Sequence, residues 1–513
     1  MIKKILNYTL LAALAFSAGS CLDKYPTDSI LADDAGKTTK QINEMVIGLY
    51  ADFRSKYLYS GNLTLLPDLQ ADLAYLINGS GNMYGNIWRW NIQTTDTDIE
   101  GVYGALNAVI GQANLILEKA AAIEKDVDDT DYRKLQSYKG EAYFARALAH
   151  AELIKLFSKA YNPATADKDL GAVLATKVSG NELKRASMKA SYEFVLADLD
   201  KAAELLKIDE DDQTDISNLG YFSEYTVYAL RARVCLYMKD WDGAIEYASK
   251  VIDSKRYQLS GVNTSVGTDA NGTAVSAFRY MWQYDNATEI IWKVAFTSTS
   301  YGGALGTVFF NTIQSGVYKP DYVPARWVLD SYTSSDGRYD TYFQTVTTAH
   351  THRLSWPLLA KYFGNQNFIN LNMYGITMPK VFRLAEQYLI RAEAYCRKDN
   401  PDYGKASTDL TTLLKSRYGS EFGSISVGKD SWFTEINEER VKELYMEGFR
   451  LQDIKRWSAD GLMDGFSRKA QSESLSNGDH ISIKGDDYRF VWPIPKTEVD
   501  LPGSGIEQND GYK

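Results

Sequence analysis

A short aromatic stretch at residues 79–91, GSGNMYGNIWRWN, has the composition of a platform that binds sugars. Trp88 and Trp90 are two residues apart, and alternate side chains of an extended strand project to the same side. Tyr84 lies beside them, and the carboxylate of Asp72 can accept hydrogen bonds from sugar hydroxyls. We therefore predict that these four residues bind ligand. The alternative is that both tryptophans belong to the core.

One such platform is too weak to bind a sugar alone. A ring covering about 80 Å² of indole gains about 2 kcal/mol, whereas millimolar affinity requires about −4 kcal/mol after association costs. Further aromatic residues must contribute, and we expect them in the long segment 256–377. There Tyr280, Trp282 and Tyr284 alternate as on one strand face, and Tyr301 lies in a predicted loop. We predict ligand contacts for Tyr280, Trp282 and Tyr301. The other loop tyrosines of this segment are Tyr318 and Tyr322.

The residues match a nucleotide site or a metal site less well than a sugar-binding site. Gly79, Gly81 and Gly85 superficially resemble a nucleotide-binding turn, but the spacing is wrong and no helix is predicted to open after them. His350 and His352 would share a strand face as metal ligands, yet no third ligand lies nearby in the sequence. We predict no cofactor. A structural cation held by loop carboxylates and carbonyls is the alternative.

A glycoside hydrolase with a carboxylate pair is the enzymatic alternative. The chain has 66 acidic residues, so many pairs will lie close together by chance and such a pair proves little. The acids that can be placed on helices lie near arginines, and we predict that they form structural ion pairs. These acids are Glu141, Glu386, Glu393, Glu439 and Glu447, and the arginines are Arg146, Arg383, Arg440 and Arg450.

The N-terminus indicates export. Lys3 and Lys4 precede an apolar run of about twelve residues, too short to span a bilayer, and small residues then lead to Cys21. This pattern resembles the lipobox of bacterial lipoproteins, although Ala18 stands where those signals usually carry Leu. We predict a signal peptide at 1–20, lipid on Cys21 and a flexible tether at 21–40. A soluble secreted protein is the alternative.

Composition narrows the function further. The formal net charge of −10 argues against nucleic-acid binding. With 36 Tyr and 10 Trp, the chain is rich in side chains that pair a flat apolar face with a polar edge, which suits hydroxyl-rich ligands. Cys235 and Cys396 lie in predicted helices, and we interpret them as buried free thiols, with a disulfide as the alternative.

The elements that position these residues are mainly helices. Apolar residues recur at three- and four-residue steps, typical of helices that pack on one face. Residues 221–253 and 380–417 resemble tetratricopeptide helix hairpins, which must stack to bury their apolar faces. We predict a helical scaffold at about 99–255 and 379–457, with loop-rich insertions at about 58–98 and 256–377 and a short strand at 289–296. The helices are predicted at 39–57, 102–117, 131–159, 187–207, 221–238, 241–253, 380–398, 403–417 and 436–457.

The C-terminal third carries a recognisable pattern. The run ERVKELYMEGFR at 439–450, followed by DIKRW at 453–457, resembles the C-terminal signature of the SusD/RagB family of outer-membrane nutrient-binding lipoproteins. Four further segments agree in order and spacing. They are Gly140-Glu141-Ala142 with Arg146-Ala147, Trp241-Asp242 with Ala244-Ile245, Arg383 to Glu386 with Ala392 to Ala394, and Trp492 to Pro495 with Gln508-Asn509 and Gly511-Tyr512. Leu414-Lys415 and Gln452 depart from the family pattern.

The resemblance implies an α-superhelix of four tetratricopeptide-like helix pairs, with a long irregular insertion that contains short β elements. It implies a lipoprotein on the outer membrane, facing the cell exterior, over a SusC-like TonB-dependent transporter. Family members capture oligosaccharides, in some cases peptides, and are not enzymes. Residues 79–91 look like the tryptophan-bearing segment of the starch-binding relative. A scaffold without any ligand is a third alternative.

Overall fold

The computed structural model describes residues 36–77, 81–177, 184–207, 219–268, 272–314, 317–348, 355–419, 421–468 and 481–512. The predicted signal peptide, Cys21, most of the tether, and both His350 and His352 lie outside the described residues. In the described ranges, no helix combines the length and the apolar character that crossing a bilayer requires.

The described chain is mainly helical. Helices α1 to α8 span Thr39–Asp52, Asn62–Gln70, Gly85–Trp88, Thr97–Ile123, Asp129–Phe157, Met188–Leu205, Glu224–Met238 and Trp241–Asp253. Helices α9 to α17 span Ala277–Tyr284, Arg326–Ser331, Tyr339–Tyr342, Gln366–Ile369, Leu384–Arg397, Tyr403–Tyr418, Trp432–Glu443, Arg450–Ala459 and Lys496–Val499.

The long helices pack in succession. α1 contacts α4, and the contacts continue from α4 to α5, α5 to α6, α6 to α7, α7 to α8, α8 to α13 and α13 to α14. Asp96 and Asp128 cap the first turns of α4 and α5 with their carboxylates. At Gly140 of α5 an added Cβ would lie 2.9 Å from Leu205 of α6, so glycine permits this close packing. The predicted α-superhelix with a long irregular insertion is confirmed.

The β structure consists of short antiparallel pairs. Strands β1 to β7 span Ala74–Leu76, Leu170–Val173, Arg185–Ser187, Ser265–Thr268, Ala274–Ser276, Ile290–Lys293 and Thr312–Gln314. Strands β8 to β14 span Val317–Tyr318, Tyr322–Pro324, Phe343–Thr347, Ser355–Leu359, Lys380–Arg383, Phe466–Ser467 and Ser482–Ile483. Two pairs join distant parts of the chain. β1 of the first loop-rich insertion pairs with β9 of the second, and β6 of the second insertion pairs with β12 at the start of the C-terminal part of the scaffold.

The single helix predicted at 436–457 is wrong, because the structure divides it into α15 and α16. Between them Met446 and Gly448 have left-handed backbones, with φ of 58° and 86°. The carboxylate of Asp68 accepts hydrogen bonds from the backbone N–H groups of Gly448 and Arg450, at 2.9 and 2.8 Å. A buried side chain from the N-terminal region thus stabilises the break, which helical periodicity alone does not reveal.

Candidate ligand-binding site

The loop that carries the predicted aromatic platform has an unusual backbone. Asn82, Tyr84 and Trp90 all have left-handed φ angles, of 58°, 59° and 60°. Such conformations cost non-glycine residues on the order of 1–3 kcal/mol and are concentrated at functional sites. Between Tyr84 and Trp90 the chain forms the short helix α3. The extended strand predicted here is therefore wrong, and the two indoles do not share one side.

Trp88 and Trp90 are core residues, each 1% exposed. The Trp88 indole N–H donates to the carbonyl of Ala74 at 3.0 Å, and that of Trp90 donates to the carbonyl of Gln70 at 2.6 Å. The guanidinium of Arg468 lies 4.4 Å from the Trp88 ring centroid. Neither indole offers a face to a ligand, contrary to the prediction.

Replacing Trp90 with Ala is expected to lower the free energy of unfolding by about 3–5 kcal/mol, because it empties a filled core position. Urea unfolding at neutral pH measures this. The control is Tyr132→Ala on α5, where the side chain is 46% exposed and the change should stay within about 0.5 kcal/mol. A Trp90→Ala protein with unchanged stability but lost glycan binding would return this residue to the ligand site.

Tyr84 remains available to a ligand. It is half-buried and lines a polar groove of about 330 Å³, the Tyr84 groove. The other polar side chains of the groove are Asn82, Asn86, Thr95, Asp96, Thr97 and Asp98. Burial, with a further contribution from Asp98, raises the pKa of Tyr84 to about 12. The phenol is therefore protonated at neutral pH and can donate a hydrogen bond to a sugar oxygen.

Four aromatic side chains of the insertion form what we term the aromatic ladder, consisting of Phe310, Tyr318, Phe363 and Tyr374. Ring centroids of Phe310 and Tyr318 are 5.4 Å apart, those of Tyr318 and Phe363 6.2 Å, and those of Phe363 and Tyr374 6.1 Å. Phe310 is buried, whereas Tyr374 at the other end is 53% exposed. The ladder thus anchors an exposed ring on a buried one, which fixes its orientation.

Tyr301 lies in another loop of the insertion and is 48% exposed. The N–H of Gly306 donates to the carbonyl of Gly375 at 3.0 Å, which ties the Tyr301 loop to the Tyr374 loop. Gly375 has a φ of 74°, a left-handed backbone conformation that a side chain would strain. Tyr301 and Tyr374 are thus exposed tyrosines on two loops that a backbone hydrogen bond connects.

The Tyr84 loop and the ladder are joined through the β1–β9 pair. The hydroxyl of Tyr322 in β9 donates to the carbonyl of Met83 at 2.8 Å, and the carboxylate of Asp321 accepts from Gly81 N–H at 2.5 Å. Asp321 follows Tyr318 of the ladder by three residues. These two bonds join the loop of Tyr84 to the segment that follows Tyr318 of the ladder.

The predicted strand with Tyr280, Trp282 and Tyr284 on one face is wrong, because these residues lie on helix α9. Trp282 is 3% exposed, and the ammonium of Lys361 lies 4.1 Å from its ring centroid. Tyr280 is half-buried and stacks on Tyr284 with a centroid distance of 4.6 Å. Helical geometry therefore places Tyr280 and Trp282 in different environments, and Trp282 is closed to ligand.

Asp72 is engaged in the core as well. Its two carboxylate oxygens accept from the guanidinium of Arg450 at 2.8 and 2.9 Å, and the residue is 9% exposed. A carboxylate paired in this bidentate way has little capacity left for sugar hydroxyls. The predicted ligand role of Asp72 is therefore contradicted by its geometry.

Two family models cover most of the chain. Residues 327–512 match the model described as the SusD family, and residues 21–236 match a SusD-like model described as starch-binding and associating with the outer membrane. The chain belongs to the SusD/RagB family. SusD-like protein P2 of Formosa agariphila is 25% identical over 523 residues, which cover 96% of each chain.

Solved structures with the SusD fold agree with this assignment. A SusD superfamily protein from Bacteroides thetaiotaomicron aligns with a TM-score of 0.74 at 22% identity, over 92% of this chain and 99% of that one. A putative sugar binding protein from Bacteroides vulgatus gives 0.74 at 21% identity, over 93% and 99%. Surface glycan-binding protein A from Bacteroides fluxus gives 0.67 at 19% identity, over 93% and 100%.

The acids of the SusD/RagB motifs lie in buried ion pairs. Glu443 contacts the guanidinium groups of Arg338, Arg383 and Arg417 at 3.0, 2.8 and 2.9 Å. Four of the five motif acids form ion pairs as predicted, but only Glu447 does so with one of the arginines named from the sequence. The pairs are Glu386 with Arg233, Glu393 with Arg456, Glu439 with Arg338, and Glu447 with Arg383. The exception is Glu141, whose carboxylate accepts instead from the hydroxyl of Tyr50 at 2.5 Å. Burial raises the pKa of Glu141 to about 7.

Glu393 makes the stability of this SusD-like fold dependent on pH. Burial alone would raise its pKa, but Arg456 and the nearby Arg397 outweigh burial and lower the pKa to about 2 from an ordinary 4.5. Because the folded pKa lies below the unfolded one, this stabilisation is complete above pH 4.5 and is lost as pH falls toward 2. The difference in unfolding free energy between wild type and Glu393→Gln should therefore shrink between pH 7 and pH 3 in urea unfolding. A difference independent of pH would contradict the ion-pair assignment.

Among the residues that the structure describes, no three His, Cys, Asp or Glu side chains are placed to hold a metal ion. Cys235 and Cys396 are buried free thiols, as the helical context predicted.

Proposed function

We propose that this protein binds oligosaccharides at the cell surface and passes them to a SusC-like TonB-dependent transporter, without catalysis. The ligand is held by the exposed rings of Tyr301 and Tyr374, backed by the ladder, with Tyr84 and the polar side chains of its groove completing the site. Trp88, Trp90, Trp282 and Asp72 contribute as the framework that holds these loops.

The observation that supports this proposal best is the presence of two exposed tyrosines on connected loops. Tyr301 and Tyr374 are 48% and 53% exposed, and a backbone hydrogen bond from Gly306 to Gly375 joins their loops. Each ring that stacks on a sugar contributes about 2 kcal/mol. Two such rings supply about 4 kcal/mol before association costs, and hydrogen bonds from the Tyr84 groove are needed to offset those costs and reach the roughly −4 kcal/mol net that millimolar binding requires.

The relatives favour sugar over other nutrients. One matching family model is described as starch-binding, one structural neighbour as a sugar binding protein and another as a surface glycan-binding protein. Asn and Asp side chains like those of the Tyr84 groove suit the many hydroxyls of a glycan.

Isothermal calorimetry against a panel of soluble oligosaccharides tests the proposal. We expect binding of at least one glycan and no cleavage products after prolonged incubation with the purified protein. Cleavage would favour the hydrolase alternative. Binding of peptides with no glycan binding would favour the peptide-binding alternative within the family.

We further propose that lipid on Cys21 anchors the protein to the outer membrane, with the segment between Cys21 and α1 as a tether and the domain facing the exterior. Protease treatment of intact cells should then degrade the protein, and Cys21→Ala should shift it from the membrane to the soluble fraction. Protection of the wild-type protein in intact cells, with degradation only after lysis, would place it on the periplasmic side.

A further inference from the structure

A second cleft lies away from the loops of the proposed ligand site. Its volume is about 700 Å³, roughly twice that of the Tyr84 groove and within the range of about 300–1,000 Å³ typical of small-ligand sites. We term it the C-terminal cleft. Its walls are residues 159–170 after α5, residues 455–464 at the end of α16, and the C-terminal segments 485–491 and 509–510.

One wall of the C-terminal cleft is an aromatic platform held in place from behind. Tyr488 is 44% exposed, and its ring packs edge-on against Tyr512 with a centroid distance of 5.0 Å. Gly511, with a φ of 81°, lies so close that an added Cβ would be 2.4 Å from the Tyr488 ring. Only glycine fits there, so the backbone itself supports the exposed ring. Such a rigid, exposed ring suits stacking on a sugar.

The polar lining is rich in groups that recognise hydroxyls. The cleft is lined by the aspartates Asp169, Asp464, Asp486, Asp487 and Asp510 and by the lysines Lys159, Lys168 and Lys455. Carboxylates accept hydrogen bonds from sugar hydroxyls, and ammonium groups donate to sugar oxygens. Asp487 and Asp510 are ion-paired with Arg489 and Lys159. The remaining carboxylates Asp169, Asp464 and Asp486 outnumber the remaining lysines, so the cleft favours a neutral or cationic ligand over an anionic one.

Lys455 reinforces this acidic balance. Its ammonium group donates to the carbonyl oxygens of Lys155 and Ser158, at 2.5 and 2.9 Å, at the end of α5. Burial, with Lys155 nearby, lowers the pKa of Lys455 to about 7, so its positive charge is only partly present at neutral pH. The negative excess of the cleft is correspondingly larger.

A wall of aromatic side chains separates this cleft from the Tyr84 loop. Phe490 of the cleft packs on Trp90 with a centroid distance of 4.9 Å. The guanidinium of Arg489 donates to the carbonyl of Trp90 at 2.9 Å, and also pairs with Asp487 at 2.7 Å. A ligand in the C-terminal cleft therefore meets residues that none of the ligand-site loops supplies.

We propose that the C-terminal cleft is a second carbohydrate-binding site, which takes a neutral or amino-bearing disaccharide unit stacked on Tyr488. The site is independent of the Tyr301 and Tyr374 rings. A chain with two sites can hold two parts of one glycan, which raises its retention through effective concentration.

Calorimetry with three disaccharides of matched size tests the charge and the place of this site. The probes are the glucosamine β-1,4 dimer, its N-acetylated form and digalacturonate. We expect the cationic dimer to bind most tightly, the neutral form more weakly, and digalacturonate not at all up to roughly 10 mM. Tyr488→Ala should weaken the first two at least tenfold. Digalacturonate binding most tightly, or binding of the first two unchanged by Tyr488→Ala, would overturn the proposal.

A charge reversal keeps the test decisive if Tyr488→Ala folds poorly. Asp486 is exposed, so Asp486→Lys should leave the fold intact, which circular dichroism checks. Asp486→Lys should lower the affinity for the cationic dimer at least tenfold, and an affinity equal to that of the wild type would contradict the proposed site. The double variant Tyr301→Ala with Tyr374→Ala should retain both affinities for the C-terminal cleft. If that variant loses them, the disaccharides bind at the proposed ligand site and the second site is refuted.

Discussion

Replacing Tyr301 and Tyr374 together with Ala is expected to weaken glycan binding at least about 100-fold. Each exposed ring contributes about 1–2 kcal/mol of stacking, and losing both removes roughly 3 kcal/mol, which is a factor of about 100 in the dissociation constant. The thermal unfolding temperature should change little, because the two rings are 48% and 53% exposed and support no buried cluster alone. Calorimetry with the tightest-binding glycan of the panel measures the loss.

Matched variants separate stacking from hydrogen bonding. Tyr301→Phe with Tyr374→Phe keeps both aromatic faces and should retain most of the affinity, with a loss below about tenfold from the missing hydroxyls. Tyr132→Ala removes an equally exposed tyrosine from α5 and should bind as the wild type does. If the double Ala variant binds with full affinity, the assignment of the site to these loops is wrong.

The helical scaffold is the part of this structure that local sequence determines most directly. The hairpin predicted at 221–253 appears as Glu224–Met238 and Trp241–Asp253, because its apolar period and the capping Asp240 are both local signals. The long helices at 131–159 and 187–207 appear with ends within two residues of the prediction. Periodic burial on one face and a capping residue suffice to place such elements.

The break between α15 and α16 shows why other features escaped prediction. In the sequence Gly448 looks like a tolerable interruption in a periodic helix. In the structure the carboxylate of Asp68, 380 residues away, accepts hydrogen bonds from the backbone N–H groups of Gly448 and Arg450. The backbone carbonyl of Trp88 likewise accepts a hydrogen bond from the guanidinium of Arg468, also 380 residues away in the sequence. Contacts of this kind follow from the topology of the fold and have no local signal.

The sequence predicts part of the proposed ligand site. Tyr84 and Tyr301 were named from composition and loop context, and both remain accessible in the structure. Tyr374 was missed because it stands alone in its loop, and only the packing of Phe363 beneath it reveals the ladder. Two tryptophans two residues apart were a misleading signal, since a single helical turn with left-handed flanks buries both.

Replacing Glu443 with Gln is expected to cost the fold about 3–5 kcal/mol, the range for breaking a buried ion pair. Glu443 is 0% exposed and is shared by Arg338, Arg383 and Arg417. Burial would raise its pKa, but Arg417 and Arg383 outweigh burial and hold the pKa well below its usual range. A neutral amide removes one negative charge from beside three buried guanidinium groups. A positive charge that is buried away from water without a negative partner costs free energy.

Urea unfolding of Glu443→Gln measures this cost, and Glu438→Gln on the same helix is the control. Glu438 lies on the exposed side of α15, so its replacement should change the free energy of unfolding by no more than about 0.5 kcal/mol. A second change tests the mechanism. In the double variant Glu443→Gln with Arg417→Met, the loss of stability should be smaller than the sum of the two single losses, because both single changes break the same ion pair. Simple addition of the two single losses would show that shape and hydrogen bonding at Glu443 dominate over charge balance.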